Sequence, residues 1–202
     1  MKGPLFYSKI LLFGEYGIIQ DSKGLSIPYN FYNGALKKED HPSPEAIASN
    51  GHLKRFVTYL ESLQTEQPDL VQFDIATLQK DVNEGMYFDS SIPQGYGVGS
   101  SGALVAAIYD KYAQHKITVL ENLTREKLLE LKTIFSQMES FFHGKSSGLD
   151  PLNSYLSIPI LINSKDNIEA TGIPTQSFDG KGAVFLLDSG IVGETAPMVN
   201  IF

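Results

Sequence analysis

Cysteine is absent from all 202 residues, which excludes a disulfide, a thiol nucleophile and a cysteine-ligated zinc site, and is compatible with a cytosolic protein. Long apolar runs are absent too, and no segment approaches the length of a membrane span. The N-terminal MKGPLFYSKILLFGEYG places Lys2 ahead of apolar residues, as a secretory signal does. Lys9 interrupts the run, however, Glu15 follows it, and no small-residue cleavage site appears. The segment reads instead as a first β-strand, Lys9 to Phe13, entering a turn at Gly14. Basic charge is in deficit: the formal net charge of -7 is spread along the chain, which signals solubility and argues against nucleic acid as a partner. Acidity does not exclude a phosphate ligand, because backbone dipoles and one or two lysines suffice to hold one. Metal-type histidine spacing is lacking among His41, His52 and His115, and His143 reads as a cation at a helix C-terminus. Internal repeats, low-complexity tracts and heptad seams are all missing.

What is present is a hydrophobic content of 42%, enough for a core in one large domain or two small ones. Lys9 to Asn33 reads as β structure with a turn at Asp21–Gly24. The polar stretch LKKEDHPSPEAIASNG, with two prolines, predicts a loop. HLKRFVTYLESLQ spaces Leu53, Phe56, Val57, Leu60 and Leu63 on one helical face. DLVQFDIATL alternates apolar and polar residues and predicts a half-buried strand, and SGALVAAIYDKYAQHK predicts a helix. A second strong helix is expected from Thr124 to Phe142, with Leu128, Leu131, Ile134, Phe135, Met138 and Phe142 on its apolar face. Thr124 suits its N-cap and Glu126 its first turn. HGKSSGLDPLNS reads as a loop, and YLSIPILINS and GAVFLLDSGIVG as strands. The early strands are joined by short turns, so the mixed pattern indicates α+β rather than α/β.

PQGYGVGSSGALVAAI, from Pro93 to Ile108, concentrates Gly95, Gly97, Gly99 and Gly102 around the pair Ser100 and Ser101. The letters satisfy G-x-G-x-x-G, but a dinucleotide fingerprint directly follows a buried strand, and here FDSSIPQGY is polar and broken by Pro93. The first acidic residue at a comparable distance, Glu121, does not end an apolar strand. A P-loop is excluded because no G-K-[ST] follows, and a protein-kinase loop because V-A-I-K and H-R-D segments are missing. A plain helix-starting turn accounts for one or two glycines, not for the whole set. Free N–H groups at a helix N-terminus form an anion site, so the stretch is read as phosphate-binding. Gly97 to Gly99 would wrap polyphosphate oxygens, and one of the two serine hydroxyls suits Mg²⁺.

Downstream, Glu139 ends an amphipathic helix and Asp150 follows a glycine-punctuated loop. One carboxylate could hold Mg²⁺ while the other accepts a proton from an attacking hydroxyl. By themselves they equally suit a solvated helix residue and a turn residue before proline. Lys9, at the start of an apolar strand, needs water, a carboxylate or a phosphate for its ammonium, or else snorkels at a sheet edge.

In this order the three pieces resemble the GHMP kinase family, and within it most of all the mevalonate kinases. Pro93-Gln-Gly-Tyr-Gly-Val-Gly-Ser-Ser-Gly-Ala is similar to P-x-x-x-G-L-G-S-S-A-A, with Val98 for leucine and Gly102 for alanine. Lys9-Ile-Leu-Leu-Phe-Gly-Glu-Tyr-Gly-Ile-Ile resembles K-x-x-L-x-G-E-H-x-V-V. Glu139…His143-Gly-Lys-Ser-Ser147-Gly-Leu-Asp150 resembles E-x-x-x-H-G-x-P-S-G-x-D, and Asp188-Ser-Gly190 resembles a later D-T-G. The resemblance implies an N-terminal domain of the ribosomal protein S5 domain 2-like type over residues 1–155. A C-terminal ferredoxin-like domain would begin at 156–202. It is expected to be incomplete, since such kinases run to roughly three hundred residues and no later G-x-G-x-G-G segment occurs.

The resemblance further implies transfer of the γ-phosphoryl group of ATP to a small-molecule alcohol in the cytoplasm, mevalonate first among acceptors. It implies no nucleic-acid or membrane partner and leaves a homodimer open. Gly95, Gly97, Val98, Gly99, Ser100, Ser101 and Gly102 would bind ATP, Ser101 and Glu139 would hold Mg²⁺, and Asp150 would be the catalytic base. Lys9 would lie beside Asp150 and the γ-phosphate, keeping the aspartate ionised. Glu15, Tyr16, His143 and Ser147 would line the acceptor side. Tyr16 stands where the family has histidine, and Ser146 where it has proline, so the acceptor's identity is less defined than the reaction type. The alternatives are phosphomevalonate, a sugar or homoserine as acceptor, and a domain that binds nucleotide without catalysis.

Overall fold

A computed structural model describes residues 4–14, 22–118 and 123–172, together with Leu187 and Gly190. Strand β1 (Phe6–Phe13) pairs antiparallel with the long β2 (Gly24–Lys37), Phe6 opposite Gly34 and Ile10 opposite Ile27. The first residues of β2, Gly24–Ser26, also pair with β4 (Ile160–Ser164), which pairs in turn with β5 (Asn167–Ala170). Its last residues, Gly34–Lys37, pair with β3 (Tyr87–Ser90). All of these pairings are antiparallel, so the described architecture is α+β.

Five helices accompany the sheet: α1 (Pro44–Glu66), α2 (Ile75–Asn83), α3 (Ser100–Tyr112), α4 (Arg125–His143) and α5 (Leu149–Leu156). Helix α3 is buried from Gly102 to Tyr109, as expected of a helix apolar all round. Ala103, Ala106 and Ala107 meet Phe6 and Ile92 on one side, where small side chains allow close approach. Val105, Ile108 and Tyr109 enter the main core with Phe135, Met138 and Leu152. Helix α3 packs against α5 and β1, α5 also packs on β1, and α4 closes over both helices. This stacking brings the N-termini of α3 and α5 and the C-terminal end of α4 to one place.

The helical face expected at Leu53, Phe56, Val57, Leu60 and Leu63 is buried as anticipated, and so are Leu128, Leu131, Ile134, Phe135 and Met138 of α4. Thr124 caps α4 by accepting a hydrogen bond from the Lys127 N–H. Four local expectations are corrected. The loop expected through Asn50 and Gly51 ends at Ser43, whose hydroxyl accepts from the Ala46 N–H, because Pro44 is well tolerated in a first helical turn. The strand expected in DLVQFDIATL is reduced to an isolated bridge from Phe73 to Ala113. Asp74 caps a helix there, accepting from the Thr77 N–H, and Leu78 and Val82 point into the core one turn apart. HGKSSGLDPLNS is a loop only as far as Gly148: α5 then runs through Tyr155 and Leu156, which were expected in the next strand. Helix α3 stops at Tyr112, before QHK, where Ala113 turns to the bridge with Phe73.

Strands β3 and β5 were not anticipated, being only four residues each. Beyond residue 155, Ile160, Ile162 and Ile168 of β4 and β5 are buried in the main core. Of the strand expected in GAVFLLDSGIVG, and of Asp188-Ser-Gly190, only Leu187 and Gly190 are described.

Candidate active site

Between β3 and α3 the chain passes through Pro93–Gly99. Gly95, Gly97 and Gly99 all take positive φ, and Gly99, at +83°, is the N-cap of α3. A side chain at that φ is strained, and a β carbon on Gly99 would lie 3.1 Å from Lys9 Cγ, so both conformation and space call for glycine. No side chain caps α3. The N–H groups of its first turn therefore stay available to an external acceptor at the positive end of the helix dipole. The loop is fastened to β1 by a bond from the Lys9 N–H to the Val98 carbonyl, 3.0 Å long.

Lys9 is 8% exposed, and its Nζ lies 3.1 Å from Asp150 Oδ1. Asp150 sits in the first turn of α5, where an acidic residue suits the dipole. Gly102 makes the approach possible: a β carbon there would meet the Asp150 carbonyl carbon and the Pro151 nitrogen, each at 2.7 Å. On the other flank, Ser101 Oγ donates to Glu139 Oε1 at 2.8 Å and lies 3.0 Å from His143 Nε2. Glu139 is 3% exposed. Burial pushes its carboxyl up, and the neighbouring Asp150 charge adds to this. Hydrogen bonds from Ser146 and Ser101 and the Lys9 charge oppose the rise, leaving it at about 7.

A glycine-rich helix N-terminus thus faces a Lys–Asp pair on one flank and a Ser–Glu pair on the other, groups of the kind that a phosphate ligand takes. Residues 60–157 match the family described as GHMP kinases N terminal domain. The match covers just under half of the chain. Its matched stretch contains Ser101, Glu139 and Asp150, while Lys9 reaches the site from outside it. In fold, the chain is similar to the mevalonate kinase of L. major crystallised with R-mevalonate, at 18% identity and a TM-score of 0.50, over 99% of this chain and 62% of that one. It is also similar to the mevalonate kinases of Methanococcus jannaschii (14% identity, TM-score 0.47, 85% and 56% covered) and of Staphylococcus aureus MRSA252 (18%, 0.45, 87% and 56%). The chain thus spans about three fifths of the length of these structures. No curated protein matches it in sequence.

Of the residues singled out from sequence, Lys9, Gly99, Ser101, Gly102, Glu139, His143 and Asp150 lie around the N-termini of α3 and α5, and the others differ in exposure and contact. Gly95 and Gly97 are exposed and Val98 is half-buried. Ser100 opens α3 half-buried beside Ser101. Ser147 is exposed, and its Oγ accepts from the Leu149 N–H at 3.3 Å, just ahead of the Gly148 N-cap of α5. His143 is exposed at the end of α4. Glu15 and Tyr16 lie outside the described residues. Ser101 Oγ and Glu139 Oε1, side by side, are hard oxygen donors of the kind Mg²⁺ takes. Among the described residues no cluster of three acidic or histidine side chains offers a fuller cage. The sequence reading missed Ser146 as a partner of Glu139; its only sequence signal is that it replaces the motif's proline. No described helix is long and apolar enough to cross a membrane.

Proposed function

We propose that this domain catalyses transfer of the γ-phosphoryl group of ATP to an alcohol hydroxyl, with mevalonate the first acceptor to test. The observation that carries the reading is the Lys9–Asp150 pair, 3.1 Å apart, set beside Gly99 at the uncapped N-terminus of α3. Gly95 to Gly102 would cradle the phosphates through backbone N–H groups, and Ser101 and Glu139 would hold Mg²⁺. Bound there, the cation would neutralise phosphate charge. Asp150 would accept the proton of the attacking hydroxyl, while the Lys9 ammonium orients Asp150 and offsets negative charge gathering around it. His143 and Ser147, with Glu15 and Tyr16, would face the acceptor. The cytoplasm and isoprenoid precursor synthesis are the setting that such a reaction fits.

The test is a coupled ADP-release assay run over mevalonate, phosphomevalonate, galactose and homoserine. Turnover with mevalonate well above the others is expected. A preference for another of the four would transfer the same mechanism to that alcohol, and no turnover with any would refute phosphoryl transfer to these acceptors.

A further inference from the structure

A buried carboxylate must have both oxygens satisfied. Glu139 Oε1 takes the Ser101 hydroxyl, and Oε2 takes the Ser146 hydroxyl at 2.5 Å. The Ser146 hydroxyl is itself directed: its oxygen accepts from the Gly148 N–H at 3.0 Å, which leaves its own hydrogen for Glu139. The Ser146 backbone is pinned as well, since its carbonyl accepts from Ser136 Oγ at 2.6 Å. Ser136 lies on α4 about one turn before Glu139, so loop and carboxylate are referenced to the same helix. Gly148 holds the loop close, for a β carbon there would lie 2.1 Å from the Lys132 carbonyl oxygen.

We propose that Ser146 is a positioning residue: it holds Glu139 Oε2 so that Oε1, together with Ser101 Oγ, is presented to a divalent cation. This rests on the reading of Ser101 and Glu139 as the Mg²⁺ ligands. A cation that takes Ser101 Oγ and Oε1 replaces the bond between those two atoms and leaves the Ser146 bond in place. Ser146 is then the donor that keeps the carboxylate in its rotamer. The motif's proline has no hydroxyl and cannot do this, so the device belongs to this chain's own sequence.

The experiment is a Mn²⁺ titration in the presence of a non-hydrolysable ATP analogue, read by electron paramagnetic resonance of the free ion. Melting temperatures are recorded alongside. Ser146→Ala is expected to weaken Mn²⁺ binding about tenfold, the scale of a hydrogen bond to a charged group, with Ser146→Thr within about twofold of the parent. Glu139→Gln is expected to weaken it at least as much as Ser146→Ala. If Ser146→Ala binds Mn²⁺ like the parent while Glu139→Gln does not, the positioning role is overturned and the metal reading stands. A lower melting temperature with unchanged affinity, or a threonine variant as weak as the alanine one, also overturns it. If Glu139→Gln binds like the parent, the ligand reading itself fails, and the inference with it.

Discussion

Asp150 is held by three neighbours at once: the Lys9 ammonium at 3.1 Å, the first turn of α5, and the bare α carbon of Gly102. Asp150→Asn keeps the shape and removes the carboxylate proposed as proton acceptor. We expect kcat to fall about 10³-fold, within the range of general-base catalysis, with ATP-analogue affinity essentially retained. A coupled assay and calorimetry check both, and an unchanged kcat would remove Asp150 from the role of base. Gly102→Ala makes a different point. The added carbon would meet backbone at 2.7 Å, which cannot swing aside as a side chain can, so α3 and α5 must part. Overpacking of this kind costs about 1–3 kcal/mol, so the melting temperature should drop, and kcat should fall more than nucleotide affinity as Asp150 is displaced. A variant with parental melting and turnover would show that the helices yield freely. At this scale the sequence was informative where a residue type is chemically demanding. Lys9, Ser101, Glu139 and Asp150 were singled out through the ordered motifs, whereas Ser146 stood out only as a departure from the motif's proline, with no sign of its partner.

Helices α2 and α3 and the segment after β2 are tied through Asp81. Its carboxylate receives Lys38 Nζ and Lys111 Nζ, each at 2.8 Å, and the Tyr112 hydroxyl at 2.5 Å. Burial alone would raise this carboxyl, but the hydrogen bonds from Lys111, Lys38 and Tyr112 outweigh it and hold Asp81 well below the usual carboxylate range. A folded-state value below the unfolded one adds stability above the ordinary carboxylate range, and that stability is lost as the pH falls through the depressed value. Asp81→Asn should therefore lower stability at pH 7 by about 2 kcal/mol, the scale of lost charged hydrogen bonds. The difference from the parent should shrink as the pH drops below about 4. Thermal melts across that range test it, and equal melting at pH 7 would show that the network contributes nothing. Element identity followed the sequence where a periodicity ran long, as in α1 beyond Leu53 and in α4. It failed in short elements, where a single cap decides: Asp74 starts a helix where Leu70 and Gln72 suggested a strand, and Gly148 starts α5 inside an expected loop.

Over the whole molecule, the sheet and the α3–α5 stack set what can meet. The pattern of the chain by itself determined its α+β character, the buried faces of α1 and α4, the glycine-rich turn before α3, and the residue types available for chemistry. These are properties of local spacing and of single side chains, which neighbours along the chain already specify. Only the tertiary structure decided that β2 serves β1, β3 and β4 together, that β4 and β5 share the main core, and that Lys9 reaches Asp150 across 141 positions of chain. It also decided that Ser146 completes the surroundings of Glu139. Such pairings depend on burial and close approach between distant segments, as at Gly102 and Gly148, and no local pattern encodes the distance between two packed backbones.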